Sequence, residues 1–125
     1  MTPHKQHTPG FLKAVDDAKS RVKQVTVAQY RKMPREGHTL IDVREDREWQ
    51  DGHAAGAIHL SKGVIERDIE NEIPDKNATL VLYCGGGFRS ALAADAIQKM
   101  GYTNAISLDG GWRAWNEAGL PVEKP

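Results

Sequence analysis

Residues 79–90 read TLVLYCGGGFRS, and this stretch decides how the chain is interpreted. The short apolar run at 79–83 is typical of a buried strand. Three glycines follow it, and then a strongly helix-forming run at residues 91–100. Cys84, the only cysteine of the chain, therefore falls at the carboxyl end of a strand, on a glycine-rich loop that opens a helix. Such a loop can direct several backbone N–H groups at one point.

The charges around this loop indicate that it binds an anion. The N-terminus of the following helix contributes partial positive charge, and Arg89 contributes a full one. A cation is unfavourable beside a helix N-terminus, so its presence there favours an anionic ligand and a reactive thiolate at Cys84. The alternative interpretation is a buried structural cysteine, with glycines that only allow the strand and the helix to pack closely.

Composition narrows the class of protein. The chain has 125 residues, which suits one domain with its own core. Its 17 basic and 17 acidic residues balance, so the charge pattern indicates neither a nucleic-acid nor a membrane surface. One cysteine excludes an internal disulfide and a zinc site built on several cysteines. The sequence predicts no signal peptide, metal site or membrane span, and the cytoplasm is the expected location.

Short apolar runs alternate with helix-like segments along the chain. Strands are predicted at residues 39–44, 57–60, 79–83 and 105–108, and helices at 11–22, 45–51, 64–72, 91–100 and around Trp112 and Trp115. Residues 25–27 fit a short strand, and Thr26 also fits the N-cap of a helix through Met33. The alternation predicts an α/β fold with an open central parallel sheet flanked by helices. Ligands bind at the carboxyl ends of such strands, where Asp42, Cys84 and Asp109 are expected.

Three stretches of the chain resemble the signatures of the rhodanese (sulfurtransferase) domain. They are residues 42–58 (DVREDREWQDGHAAGAI), the loop at 83–90, and residues 108–122 (LDGGWRAWNEAGLPV). All three occur in the order and at the spacing of that family. The resemblance predicts a rhodanese-like domain at residues 24–123, preceded by a polar arm and a helix at residues 1–23.

The resemblance also implies a double displacement at Cys84. The thiolate takes a sulfane sulfur from a small donor such as thiosulfate and holds it as a persulfide. A small acceptor such as cyanide or a thiol then removes it, and a protein acceptor of sulfur is compatible with the same chemistry. No cofactor is implied. The implied substrate-binding residues form the rest of the loop: Gly85, Gly86, Gly87, Phe88, Arg89 and Ser90.

The loop departs from the family pattern at one position. The family commonly has a basic residue directly after the cysteine, where this chain has Gly85. The departure removes one cation from the expected anion site and weakens the case for a strong preference for thiosulfate. Gly85 is also a candidate for a positive φ, a conformation that arginine resists.

Two other functions are compatible with a cysteine on such a loop. One is a rhodanese-like module without enzymatic activity, which carries sulfur or docks a partner; turnover of a small donor distinguishes it from an enzyme. The other is a Cys-dependent phosphatase, because tyrosine and cell-cycle dual-specificity phosphatases resemble this Cys…Arg arrangement. Their loops have five residues between Cys and Arg, whereas four separate Cys84 from Arg89. The shorter loop favours sulfur over phosphate.

Other residues near the predicted site have a catalytic and a structural interpretation, and the structural one is favoured for Asp42, Arg44, His53 and His59. Arg44 is expected to pair with Glu48 or another carboxylate and so to fix the loop after its strand. His53 follows Gly52 in the first signature, and the resemblance implies an architectural role for it; His59 lies one residue after that signature and is expected to be structural. Phe88 either lines the entrance of the site or packs inward, and the sequence does not decide between the two.

Overall fold

A computed structural model describes residues 7–125; residues 1–6, part of the predicted polar arm, lie outside the described residues. Helices and strands alternate along this range, as the sequence predicts. In chain order the elements are α1 (Pro9–Lys19), β1 (Lys23–Val25), α2 (Val27–Tyr30), β2 (Thr39–Asp42), α3 (Asp46–Gln50), β3 (His53–Ala54), β4 (Ile58–His59), α4 (Ile65–Glu72), β5 (Leu80–Tyr83), α5 (Phe88–Gln98), β6 (Ala105–Leu108), α6 (Gly111–Glu117) and β7 (Val122–Glu123).

Five strands form the predicted open parallel sheet, in the order β1-β6-β5-β2-β4, with β5 at its centre. Asp42 of β2 pairs with Tyr83 of β5, and Ser107 of β6 pairs with Leu82. This register brings the carboxyl ends of the three strands to one edge of the sheet. Asp42, Cys84 and Asp109 therefore share that edge, as predicted.

Helices cover both faces of the sheet, which explains why β5 is apolar throughout. Leu80 and Leu82 belong to the cluster that packs under α4 and α5. Val81 and Tyr83 point to the opposite face and join the cluster that contains Trp115 of α6. All four β5 side chains are buried. A central strand covered on both sides needs an unbroken apolar run rather than an alternating one.

Residues 23–33 contain both of the structures that the sequence allowed, a short strand and a helix capped by Thr26. β1 ends at Val25, and Thr26 then caps α2. The Thr26 Oγ1 accepts a hydrogen bond from the Gln29 backbone N–H at 3.1 Å, while the Gln29 side chain bonds back to the Thr26 N–H. The strand lies two residues earlier than predicted, and the helix ends at Tyr30 rather than Met33. The capping box at Thr26 sets the boundary between the two elements.

Two features of the fold were not predicted. β3 and β7 form a second, two-stranded antiparallel sheet, in which His53 pairs with Glu123; strands of two residues are too short to show a periodicity. The first helix, outside the family-like region, packs along α5, and Arg21 joins the two by hydrogen bonds to Asp95 of 3.0 and 2.8 Å. None of the helices within residues 7–125 is long and apolar enough to cross a membrane.

Candidate active site

The loop between β5 and α5 has the predicted shape. Cys84 directly follows β5, and α5 begins at Phe88, three residues before the helix-forming run that the sequence marks. Gly87 is the N-cap of α5 and has a φ of +101°, a conformation that favours glycine. Gly85 does not have a φ in this region, so the expectation of a positive φ there was wrong. The sharp change of direction occurs at the third glycine.

Backbone N–H groups converge on the sulfur of Cys84. The N–H of Gly87 donates to Sγ over 3.1 Å, and the N–H of Ser90 donates to Sγ over 3.3 Å. The cysteine is 1% exposed, so these donors act on the sulfur with little competition from water. Preorganised N–H groups of this kind stabilise negative charge on the atom that they meet.

Two serines extend this polar pocket beneath the sulfur. The Ser90 Oγ lies 3.5 Å from Cys84 Sγ and 2.8 Å from the Oγ of Ser107. Both serines are fully buried. Ser107 was not among the predicted site residues. The signal that could have identified it is a hydroxyl inside the apolar run of β6, the strand beside β5.

The start of α6 packs directly against the loop. The Trp112 N–H donates to the carbonyl oxygen of Cys84 at 2.7 Å, and the Arg113 N–H donates to that of Gly85 at 3.1 Å. Gly111 makes this approach possible: a Cβ there would lie 2.3 Å from the Cys84 carbonyl oxygen. Gly111 of the third signature therefore allows α6 to support the loop, a role that its sequence motif does not reveal.

Arg89 is held by a carboxylate. Its Nη1 donates to Glu48 Oε1 at 2.8 Å, and its Nη2 donates to Oε2 at 3.2 Å. The side chains are 31% and 33% exposed, so the pair is partly shielded. The hydrogen bond from Arg89 lowers the pKa of Glu48 below its ordinary value. Arg89 lies at the predicted place. The sequence predicts that it is an uncompensated cation that attracts an anion, but the Glu48 carboxylate offsets its charge.

Arg44 is structural, as predicted, and its partner is Asp42. Its Nη2 donates to Asp42 Oδ2 at 2.8 Å and to the carbonyl oxygen of Gly52 at 2.7 Å. The Tyr83 hydroxyl donates to the same carboxylate at 2.5 Å and accepts the N–H of Ala54. Burial and the nearby Asp42 charge raise the pKa of Tyr83 above its ordinary value. Asp42 is thus part of a buried network beneath the sheet edge.

His53 and His59 also have structural contacts. The ring of His53 stacks on Trp49 with a centroid separation of 3.4 Å, and the His53 Nδ1 lies 3.2 Å from the Trp49 carbonyl oxygen. The His59 Nε2 lies 2.8 Å from the carbonyl oxygen of Arg44. Neither histidine lines the cleft that contains Cys84.

The loop opens into a cleft of about 1090 Å³. Phe88 lines this cleft. Of its two predicted placements, at the entrance of the site or packed inward, the structure therefore shows the first. The residues that line the cleft come from α1 and the segment before it, from the β2–α3 region, from the loop and from the start of α6: His7, Thr8, Phe11, Glu45, Glu48, Cys84, Gly85, Gly86, Phe88, Arg89, Gly110 and Arg113. A second cleft, of about 420 Å³, lies between α2 and α6 and contains none of the loop residues. Within residues 7–125, no group of three or more His, Cys, Asp and Glu side chains is placed to hold a metal ion.

Comparison with known proteins identifies the family. The model of the rhodanese-like domain matches residues 26–118, and the chain belongs to the rhodanese-like domain family. It is 36% identical over 70 residues to the thiosulfate sulfurtransferase PspE of Escherichia coli K12, and the aligned segment covers 56% of this chain and 67% of PspE. It is 29% identical over 101 residues to the thiosulfate sulfurtransferase GlpE of Haemophilus influenzae, and the aligned segment covers 81% of this chain and 94% of GlpE.

Among solved structures, the fold is similar to that of RPA3614 from Rhodopseudomonas palustris. That protein is of unknown function and is described as a possible tyrosine phosphatase. The TM-score is 0.83 at 30% sequence identity, and the match covers 98% of this chain and all of the other. The similarity therefore extends beyond the family-matched residues.

Proposed function

We propose that this protein is a sulfurtransferase that carries a sulfane sulfur on Cys84. The observation that carries the proposal is the pair of backbone N–H groups, from Gly87 and Ser90, that meet the sulfur of the only cysteine at the carboxyl edge of the sheet. The relatives named as thiosulfate sulfurtransferases support the same class of reaction.

The proposed reaction proceeds in two displacements. The Cys84 thiolate attacks the sulfane sulfur of thiosulfate; the S–S bond of the donor breaks, and its electron pair leaves with sulfite. The product on the enzyme is a persulfide. Cyanide or a thiolate then attacks the outer sulfur, and the new S–S bond breaks to return the electron pair to Cys84. With cyanide the product is thiocyanate, and no external oxidant or reductant is required.

In this mechanism the loop has two roles. The N–H groups of Gly87 and Ser90 hold the inner sulfur when it is negatively charged, at the start and at the end of the cycle. The remaining loop residues that line the cleft, Gly85, Gly86, Phe88 and Arg89, are the ones that we propose contact the donor. A sulfur carrier would form the same persulfide and release the sulfur only to a partner protein that attacks it, whereas a docking module would not use the persulfide.

The experiment is mass measurement of the protein after incubation with thiosulfate, with and without cyanide. Thiosulfate should add one sulfur atom, and cyanide should remove it and release thiocyanate. Cys84→Ser is the control, with circular dichroism to confirm its fold. Sulfur transfer by a folded Cys84→Ser protein would overturn the proposal, and a persulfide that cyanide does not discharge would favour the carrier module.

The description of RPA3614 as a possible tyrosine phosphatase calls for a parallel assay with an aryl phosphate. Four residues separate Cys84 from Arg89, one fewer than in the phosphatase loops that the sequence resembles. Arg89 is also paired with Glu48, which leaves less positive charge for a phosphate dianion. We expect no hydrolysis above that of Cys84→Ser, and Cys84-dependent release of phosphate would replace sulfur transfer as the conclusion.

A further inference from the structure

The cleft above Cys84 is larger than a donor such as thiosulfate needs. Its volume of about 1090 Å³ lies just above the range of about 300–1,000 Å³ that is typical of pockets for drug-sized ligands. Cys84 lines this cleft together with side chains from outside the loop. Their chemistry indicates which kind of molecule the cleft binds.

One side of the cleft is an aromatic wall, formed by His7, Phe11 and Phe88. The ring centroids of His7 and Phe88 are 4.5 Å apart, those of His7 and Phe11 are 5.1 Å apart, and those of Phe11 and Phe88 are 6.3 Å apart. All three residues line the cleft. Phe11 and Phe88 are only partly buried, so the wall offers an apolar surface to a bound molecule.

The aromatic wall is attached firmly to the rest of the fold. Val15 and Ala18, on the same helix as Phe11, are each 1% exposed. The ion pair between Arg21 and Asp95 joins the segment directly after α1 to α5, the helix that begins with Phe88. Lys19 adds a cation–π contact, with its Nζ 5.0 Å from the Phe88 ring centroid. Phe11 and Phe88 are thus held on two helices that pack against each other, and the exposed His7 ring rests on both.

The charges that line the cleft do not favour a dianion. Two carboxylates, of Glu45 and Glu48, balance the two guanidinium groups of Arg89 and Arg113. Arg89 is in addition bonded to Glu48 through both of its terminal nitrogens. A donor with an apolar body and at most one negative charge fits these surroundings better than thiosulfate does.

We propose that the aromatic wall binds the apolar body of a small organic donor that carries a sulfane sulfur, so that the N-terminal helix completes the substrate site. The proposal rests on the proposed function. The chemistry is unchanged: Cys84 attacks the sulfane sulfur, the S–S bond of the donor breaks, and the electron pair leaves with the organic group as a sulfinate or a thiolate. His7 and Phe11 lie outside the family-matched residues 26–118, so two of the three rings of the aromatic wall come from outside the matched domain.

The test compares two donors that differ only in the apolar body, benzenethiosulfonate and methanethiosulfonate, with cyanide as acceptor. Each kcat/KM is divided by the rate at which the same donor reacts with cyanide alone. For the native protein the normalised ratio of the phenyl to the methyl donor should exceed about ten, since contact with a ring contributes on this scale. Phe11→Ala and Phe88→Ala should each lower that ratio by about three- to tenfold.

Leu12→Ala is the matched control, because Leu12 is an exposed apolar residue of the same helix and does not line the cleft. It should leave the ratio unchanged. Phe11→Leu, which keeps apolar volume without the ring, decides the matter if Phe11→Ala does not fold. A native ratio near one, or equal ratios for the native, Phe11 and Leu12 proteins, would overturn the aromatic wall as a binding surface. Formation of the Cys84 persulfide in the mass spectrum would then still support the proposed function.

Discussion

Glu48 holds both terminal nitrogens of Arg89, at 2.8 and 3.2 Å, at the mouth of the cleft that contains Cys84. The carboxylate comes from α3 and the guanidinium from the first turn of α5, so the contact joins the first family-like signature to the loop that contains Cys84. A cation that is already paired attracts an incoming anion less than a free one does. Glu48 therefore limits how strongly the loop can bind an anionic donor.

Replacement of Glu48 by Gln should strengthen the binding of thiosulfate. The amide removes the compensating charge and leaves Arg89 in place, so KM for thiosulfate should fall about three- to tenfold, as expected for a charge-assisted contact that is partly exposed to solvent. Steady-state thiocyanate formation measures this. Glu45→Gln is the control, since it removes a carboxylate of the same cleft that is not bonded to Arg89. An equal fall in KM for both variants would mean that the total charge of the cleft acts, and not the pair.

The pair should also contribute to stability in a pH-dependent manner. Arg89 lowers the pKa of Glu48 in the folded protein. A carboxyl group with a lowered folded pKa stabilises fully above its unfolded pKa, and this contribution is lost as the pH falls through the folded value. The stability difference between the native protein and Glu48→Gln should therefore be constant above about pH 4.5 and shrink below it. Because both side chains are about one-third exposed, the difference should not exceed about 1 kcal/mol.

Urea unfolding at a series of pH values measures that difference. The same comparison in an Arg89→Ala background is the control, because the pH dependence there should be much smaller. If the Glu48→Gln effect keeps its full size well below the folded pKa in both backgrounds, the ion pair is not its source.

Gly111 should be sensitive to a substitution as small as alanine. Its Cβ would lie 2.3 Å from the Cys84 carbonyl oxygen and 3.0 Å from the carbonyl carbon, so the loop or α6 must move. Gly119 has a similar left-handed φ of +70°, with nothing within 4 Å of an added Cβ. Gly119→Ala should cost about 1 kcal/mol through the backbone alone, whereas Gly111→Ala should cost more and lower kcat at least tenfold.

The comparison isolates close packing from backbone strain, because both glycines have a positive φ. Thermal unfolding and thiocyanate formation are the two measurements. Equal effects of the two alanines on both quantities would show that contact with the Cys84 carbonyl does not matter.

Removal of the Tyr83 hydroxyl should destabilise the fold. In Tyr83→Phe, the Ala54 N–H loses its acceptor and Asp42 loses a donor, both in the interior. An unpaired buried N–H costs about 1–3 kcal/mol, and we expect about 2–3 kcal/mol in total. Tyr102→Phe is the matched control, because that hydroxyl only donates to the Ile73 carbonyl oxygen and its loss should cost about 1 kcal/mol. Urea unfolding of the two variants should place them in this order.

The order of elements and the place of Cys84 could be predicted because both depend on local sequence. The apolar run of β5, the three glycines and the following helix-forming run each specify a backbone conformation. The Glu48–Arg89 pair could not be predicted, because it joins residues 41 positions apart and because the sequence also offers Arg44 as a partner for Glu48. The approach of Gly111 to Cys84 likewise depends on the packing of α6 against the loop. The aromatic wall needs the position of α1, which no motif of the chain specifies.

Gly85→Arg should strengthen the binding of thiosulfate by restoring a cation after the cysteine. Gly85 does not have a left-handed φ, so the backbone strain expected from the sequence is absent. An added Cβ would lie 3.2 Å from Arg89 Nη2, the far end of a flexible side chain that can shift. A well-placed charge contributes about 1.5–3 kcal/mol, and KM for thiosulfate should fall at least tenfold.

Gly85→Gln, which introduces a long uncharged side chain, separates the effect of charge from the effect of bulk. The advantage of Arg over Gln should shrink as ionic strength rises, because salt screens a charge that is open to solvent. Equal KM values for the two variants at low salt would mean that a side chain at this position does not reach the donor.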